Sequence, residues 1–351
     1  MRAVPFLLSS ALAFCLTIGV AGAGDLAGYS QIVSVRVDGS GMKNLTQWRF
    51  DDDWPAVSPD GRKIAFVRNT SAHGLWIMNA DGSGQKKLAM VPGTDEVAPS
   101  WSPDGKRIVF VSMTQCEPYF CSELDLWVVR PDGSGLRKVG ENVRQPWRPI
   151  WSPDGTRLLL GQVLNPYGQI DSLVVLRLAD RATWTLGLGA GGPVSMFEDW
   201  SWSPDGRRVV YVASNGNTTN AYVEGARGWG RRLLAHFVYG AQWSPAGGEI
   251  AVIKRFGKRT VRLATVPVRG GLPRKIATAE RFAWDRSGRR LALFRGQHPV
   301  AVVGRDGRHF RIVSRRPGWP DDSDVPVGPA FGPWSWFADS RTFVYPSTVS
   351  D

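Results

Sequence analysis

Cysteine and histidine are both scarce in this chain of 351 residues, which contains three cysteines and four histidines. The histidines (His73, His236, His298 and His309) are scattered along the sequence, so they do not predict a metal site, which needs several ligands close together. No Gly-x-Ser-x-Gly motif is present, which argues against an attached α/β-hydrolase domain. We therefore expect no metal ion, no cofactor and no catalytic residue.

The first 23 residues are typical of a secretory signal peptide. Arg2 precedes an almost wholly apolar run over residues 6–20, and Ala21-Gly22-Ala23 fits the small-residue cleavage pattern. A retained N-terminal anchor is the alternative, because the apolar run is long for a signal. Cleavage would leave Cys116 and Cys121 as the remaining cysteines, and in an oxidising compartment their closeness predicts a local disulfide. We expect an exported protein, periplasmic or extracellular, with no membrane span after cleavage.

Glycine and proline are abundant, at 40 and 24 residues, and many of them belong to one recurring motif. Its clearest copy is Pro99-Ser-Trp-Ser-Pro-Asp-Gly-Lys-Arg-Ile-Val-Phe-Val111, in which Pro103-Asp104-Gly105 predicts a tight turn between two apolar strands. Aligned on the tryptophan, the seven copies centre on Val57, Trp101, Trp151, Trp202, Trp243, Trp284 and Trp336. Repeats of about 40 to 50 residues are typical of β-propellers, and we expect the repeated tryptophans to pack between blades.

A second hairpin follows each copy except the last, as in residues 75–88, so each repeat supplies the four strands of a propeller blade. Residues 31–46 form a second hairpin without a first, and residues 334–346 form a first hairpin without a second. Joined, the two would complete a seventh blade and leave no unpaired strand edge. The sequence therefore predicts one all-β domain over residues 24–351, a seven-bladed propeller closed by the N-terminal strands. Six or eight blades are the alternatives.

The Trp-Ser-Pro-Asp-Gly-Lys-Arg-Ile-x-Phe motif, followed by a Trp-Val-Val-x-x-Asp-Gly hairpin, resembles the TolB-type WD-repeat-like propeller repeats. The resemblance covers nearly all of residues 31–346. It implies a propeller that is often extracytoplasmic and often serves as a protein-binding platform. The resemblance is to the repeats, and we expect no counterpart of the α/β domain that precedes the propeller in TolB itself.

A propeller of this kind presents two faces. The turns within hairpins lie on one face, which we call the hairpin face, and the connections between hairpins and between blades lie on the other, the connection face. Basic pairs such as Arg62-Lys63, Arg207-Arg208 and Arg289-Arg290 follow the hairpin turns. With a net charge of +12, this face can attract a polyanion, or its basic residues can simply protect strand edges.

The connection face is the expected ligand face, because its loops differ between blades and loops carry function more often than strands do. The candidate ligand-binding residues are Asp52, Asp53, Glu96, Trp147, Arg148, Glu198, Asp199, Tyr239, Glu280, Trp319, Asp321 and Asp322. We expect a monomeric, non-catalytic scaffold that binds a protein or peptide of the cell envelope, and no nucleic acid. The alternatives are a carbohydrate hydrolase or lyase that uses these carboxylates, and a polyanion-binding module.

Overall fold

The chain folds as a ring of seven antiparallel sheets, each with four strands. The computed structural model describes residues 30–46, 50–69, 74–114, 124–140, 147–162, 172–187, 195–214, 218–256, 260–279, 281–295, 298–313, 335–336, 338–339 and 341–348. The predicted signal peptide (residues 1–23) and the pair Cys116 and Cys121 lie outside these residues. The prediction of a seven-bladed all-β propeller is confirmed, and the alternatives of six or eight blades were wrong.

The strands, numbered in chain order and grouped by sheet, are β1 (Ser30–Arg36) and β2 (Lys43–Asn44); β3 (Asp51–Val57), β4 (Lys63–Asn69), β5 (Gly74–Asn79) and β6 (Lys86–Ala89); β7 (Thr94–Trp101), β8 (Ile108–Thr114), β9 (Leu124–Val129) and β10 (Arg137–Gly140); β11 (Trp147–Trp151), β12 (Arg157–Gln162), β13 (Ser172–Arg177) and β14 (Thr183–Leu186); β15 (Ser195–Trp202), β16 (Arg208–Ser214), β17 (Thr219–Gly225) and β18 (Arg232–His236); β19 (Val238–Trp243), β20 (Glu249–Phe256), β21 (Thr260–Pro267) and β22 (Arg274–Ala277); β23 (Arg281–Trp284), β24 (Arg290–Arg295), β25 (His298–Gly304) and β26 (Arg311–Ile312); and β27 (Ser335–Trp336) and β28 (Thr342–Thr348). The six internal sheets are blades 1 to 6. The described residues include no helix long and apolar enough to cross a membrane.

Blade 7 is built from both ends of the described chain, in the strand order β2-β1-β28-β27. Strand β1 pairs antiparallel with β28, from Ser30 opposite Thr348 to Arg36 opposite Thr342. The N-terminal strands are therefore the outer pair of the closing blade, as the two half-repeats predict. Arg286 of blade 6 reinforces this closure on the hairpin face, because it donates hydrogen bonds to the carbonyl oxygens of Pro59 and Ser58 in blade 1, at 2.6 and 3.0 Å.

The Ser-Pro-Asp-Gly turns have the geometry that their residues favour. Gly105 takes a φ of 68°, in the left-handed region, and its N–H donates to the Ser102 carbonyl oxygen at 2.9 Å. The Ser102 hydroxyl and the Lys106 N–H both donate to Asp104 Oδ1, at 2.5 and 3.1 Å. The Ser102 hydrogen bond is the main cause that holds the pKa of Asp104 below its ordinary value. This carboxylate therefore stabilises its own turn.

The repeated tryptophans link successive blades. Trp151, Trp202, Trp243, Trp284 and Trp336 are all buried. Four indole N–H groups donate to a carbonyl oxygen in the inner strand of the preceding blade: Trp101 to Ala56 at 2.9 Å, Trp151 to Ser100 at 3.0 Å, Trp202 to Ile150 at 3.1 Å and Trp284 to Gln242 at 3.3 Å. A carbonyl at the open edge of an inner strand needs a partner, and the tryptophan of the next blade supplies it.

Candidate functional site

The predicted ligand residues fall into three groups. Asp52, Asp53, Glu96, Asp199 and Tyr239 have described side chains. Trp147 and Arg148 lie in β11, and Glu198 lies in β15. Glu280, Trp319, Asp321 and Asp322 lie outside the described residues. The first strands of neighbouring blades contact one another, and Asp52, Asp53, Glu96, Glu198 and Asp199 all lie in first strands.

Asp52 is fully buried in an ion pair. Arg68 Nε lies 2.6 Å from Asp52 Oδ1 and Arg68 Nη2 lies 2.8 Å from Oδ2, a bidentate arrangement. The guanidinium also lies over the rings of Phe50, Phe66 and Trp76, at 4.9, 5.2 and 4.6 Å from their centroids. Burial raises the pKa of Asp52, and the hydrogen bonds and charge of Arg68 oppose this shift. The pair holds β3 to β4.

Asp199 and Glu96 are fully buried and accept hydrogen bonds from the backbone. Asp199 accepts from the Trp200 N–H at 2.9 Å and from the Ala241 N–H at 3.0 Å, which joins blade 4 to blade 5. Glu96 Oε1 accepts from the Val91 N–H at 2.7 Å, and burial raises the pKa of Glu96. Both carboxylates thus satisfy N–H groups of the scaffold.

Asp53 differs from these carboxylates. It lies where the register of β3 and β4 shifts, between Asp53 and Ala56, and Trp54 takes a φ of 54° at this bulge. Asp53 Oδ1 accepts the N–H of Trp54 at 2.8 Å. Within the described residues no cation pairs with it, and burial, with the negative charges of Asp51 and Asp52, raises the pKa of Asp53 to about 6. A β-bulge changes the direction of the side chains beside it, and Asp53 lies at such a bulge.

Among the described residues, three large apolar side chains are exposed in the connections between blades: Phe50, Met90 and Phe237, at 37%, 45% and 38% exposure. Phe237 takes a φ of 55° between β18 and β19, and the Arg255 guanidinium lies 4.6 Å from its ring centroid. Tyr239 is half-buried and packs against the core between blades 5 and 6. The described rim of the connection face is therefore partly apolar.

Sequence reasoning missed Arg68, Phe50, Met90 and Phe237. Arg68 could have been found, because an arginine directly after the apolar run Ile64 to Val67 needs a buried partner. The exposure of the three apolar residues is harder to predict from the sequence, because each is next to a strand and resembles a continuation of that strand.

The described residues do not contain a group of three or more histidine, cysteine, aspartate or glutamate side chains arranged to hold a metal ion. Chemistry on a glycosidic bond needs two carboxyl groups in catalytic positions. Among the predicted carboxylates with described side chains, Asp53 accepts a hydrogen bond from the next residue, and Glu96 accepts one from Val91 in the connection before its strand.

No family model matches the chain. A stretch of 133 residues, 38% of this chain, is 32% identical to the protein TolB homolog of Chlorobium luteolum and spans 28% of that relative's length. The structure of putative TolB from Agrobacterium tumefaciens matches with a TM-score of 0.54 and 16% identity, over 92% of this chain and 99% of that one. An oligogalacturonate lyase from Vibrio parahaemolyticus matches with a TM-score of 0.64 and 11% identity, over 90% and 97%.

These comparisons agree with the repeat motif. The chain resembles TolB-type β-propeller repeats in sequence over part of its length, and it shares the propeller fold with the two structures. At identities of 16% and 11% the structural matches define the fold alone.

Proposed function

We propose that this chain is an exported, monomeric β-propeller that acts as a non-catalytic scaffold and holds a protein or peptide of the cell envelope on its connection face. The resemblance to TolB-type repeats supports a propeller scaffold. The apolar run and small-residue motif at the N-terminus support export. The carboxylates Asp52, Asp53, Glu96 and Asp199 lie in the first strands of blades 1, 2 and 4 of a molecule whose net charge is +12.

The proposal rests mainly on the setting of Asp53, a largely desolvated carboxylate that has no cation partner among the described residues. A desolvated carboxylate without a counter-ion costs stability, and a cation brought by a partner removes part of that cost. Exposed Phe50 lies in the segment leading into the same strand, and an exposed aromatic beside a charge is typical of a binding hot spot. The partner should therefore present a lysine, an arginine or a free amino terminus next to an apolar residue.

A carbohydrate-cleaving enzyme is the second candidate, because the raised pKa of Asp53 suits a general acid. The bonding of Asp52 and Asp199 within the scaffold ranks this candidate below the binding scaffold. Turnover of neutral or acidic oligosaccharides that stops in Asp53→Asn would reverse that order.

Site-specific photo-crosslinking in the native envelope tests the binding face. A photoreactive amino acid at Phe50, Met90 or Phe237 should give a discrete adduct whose partner mass spectrometry identifies. The same probe at Leu136, an exposed apolar residue of the hairpin face, is the matched control and should give none. Asp53→Asn should reduce the adduct from the Phe237 position. Adducts formed only at Leu136 would show that the connection face is the wrong surface.

A further inference from the structure

A strongly basic cleft of about 620 Å³ lies on the hairpin face, where blades 5, 6 and 7 meet. Its basic residues are Arg274, Arg289, Arg290, Arg305, Arg311 and His309. Most of these residues come from the two hairpin turns of blade 6. The Arg305 N–H donates to the Arg289 carbonyl oxygen at 2.9 Å, which holds the two turns side by side. Arg274 joins them from the outer strand of blade 5 and Arg311 from the outer strand of blade 6.

Two carboxylates lie in the same cleft, and both are already engaged. Glu249 pairs with Arg274 at 3.1 Å. Asp306 accepts the N–H of Arg308 at 2.9 Å within its own turn. Within the described part of the chain, the guanidinium groups of Arg289, Arg305 and Arg311 have no carboxylate partner. A concave wall with three such cations focuses positive potential into the cleft.

Edge protection at single turns does not explain why arginines from separate turns line one cleft. At the position that Arg290 holds in blade 6, the arginines of blades 2 and 3 are used by the scaffold: Arg107 lies 4.7 Å from the ring centroid of Trp151 and donates to the Gly155 carbonyl oxygen at 2.8 Å. Arg157 repeats the arrangement on Trp202, at 5.0 Å. In the cleft, by contrast, exposed arginines from separate turns surround open space.

We propose that this cleft is a binding site for a compact anion that carries two or more phosphate or carboxylate groups. The planar guanidinium fork matches both groups, because its N–H donors meet two oxygens at once. Guanidinium groups on separate turns favour several charges over one. A volume of about 620 Å³ is in the range of small-molecule sites.

Isothermal titration calorimetry at low salt, with tripolyphosphate and citrate as separate probes, tests the site and distinguishes phosphate from carboxylate. One anion per chain should bind. The combined variant Arg289→Gln, Arg305→Gln and Arg311→Gln should weaken binding by at least about tenfold, a loss of about 1.4 kcal/mol. The control variant Arg62→Gln, Lys106→Gln and Arg207→Gln removes the same charge from the same face outside the cleft and should change the affinity by less than about twofold.

Two results would overturn the site. If the two triple variants lose anion affinity equally, the anion responds only to the overall charge of the face and not to the cleft. Failure of both probes to saturate the wild-type chain would show that no site is formed. A measurement on the unmutated chain covers the case of a misfolded variant: in histidine-labelled protein, the bound anion should shift the ring resonances of His309 and leave those of His236, on the connection face, in place.

Discussion

Replacing Asp53 with asparagine should stabilise the propeller at neutral pH, although it alters a predicted binding residue. The two side chains have nearly the same shape, and the asparagine carbonyl oxygen can still accept the Trp54 N–H that now lies 2.8 Å from Asp53 Oδ1. The substitution therefore removes a desolvated negative charge and leaves the local hydrogen bond in place.

The size of the effect follows from the pKa of Asp53, which rises from an ordinary value of 3.8 to about 6 in the folded chain. Because the folded state binds this proton more tightly than the unfolded state, stability is greatest below about pH 4 and falls as the pH rises through about 6. One pKa unit corresponds to about 1.4 kcal/mol, so the cost at neutral pH is at most about 3 kcal/mol. Partial exposure of Asp53 reduces the expected gain for Asp53→Asn to about 1–2 kcal/mol.

Urea denaturation followed by tryptophan fluorescence, at about pH 5 and about pH 8, measures this gain as a shift in the midpoint. Asp53→Asn should exceed the wild type at the higher pH, and the difference should shrink at the lower pH. Asp81→Asn is the control, because hydrogen bonds from Ser83 lower the pKa of that exposed carboxylate, so its removal should not stabilise. A difference for Asp53→Asn that is negative, or the same at both pH values, would refute the desolvation of Asp53.

The same variant connects stability to function. A charge that costs stability and yet serves recognition is a familiar trade-off at binding sites. Asp53→Asn should therefore become more stable while its crosslinking at Phe237 declines. A variant that gained stability with unchanged crosslinking would remove Asp53 from the proposed contact surface and leave the apolar rim as its basis.

Three further substitutions test the contacts between blades. Asp199→Ala should lower stability by about 2–4 kcal/mol, because it leaves buried N–H groups without an acceptor, and calorimetric melting should show the loss. Arg286→Gln should cost about 1–2 kcal/mol and speed hydrogen exchange in β28, since it removes hydrogen bonds that span the closing blade. Trp202→Phe should cost about 1 kcal/mol or more in urea denaturation, through the indole bond to the Ile150 carbonyl oxygen.

The blade architecture could be predicted because its determinants are local. Pro103-Asp104-Gly105 specifies a turn within a few residues, and its recurrence counts the blades. Closure followed from the two half-repeats at 31–46 and 334–346, since each alone would leave an open strand edge. None of these steps required knowledge of how one blade packs on another.

The bonding of the connection-face carboxylates could not be predicted, because it depends on register and on packing between blades. Asp52 and Asp53 are neighbours in sequence, yet one is neutralised by Arg68 and the other has no described counter-ion. Asp199 meets the N–H of Ala241, 42 residues along the chain in the next blade. A bulge directly after Asp53, which the sequence analysis did not predict, shifts the register of β3 against β4.

The later blades show how departures from the repeat acquire new roles. The turn proline is replaced by Arg286 in blade 6, and this arginine now donates to carbonyl oxygens in blade 1, two blades away around the ring. The basic cleft lies in the same part of the ring, where Arg289 and Arg305 flank the altered turn. A regular turn needs only to fold back on itself, as Asp104 does in blade 2. Arg286 has no such role in its own turn and helps to close the ring, so the irregular copies are where new contacts on the hairpin face are expected.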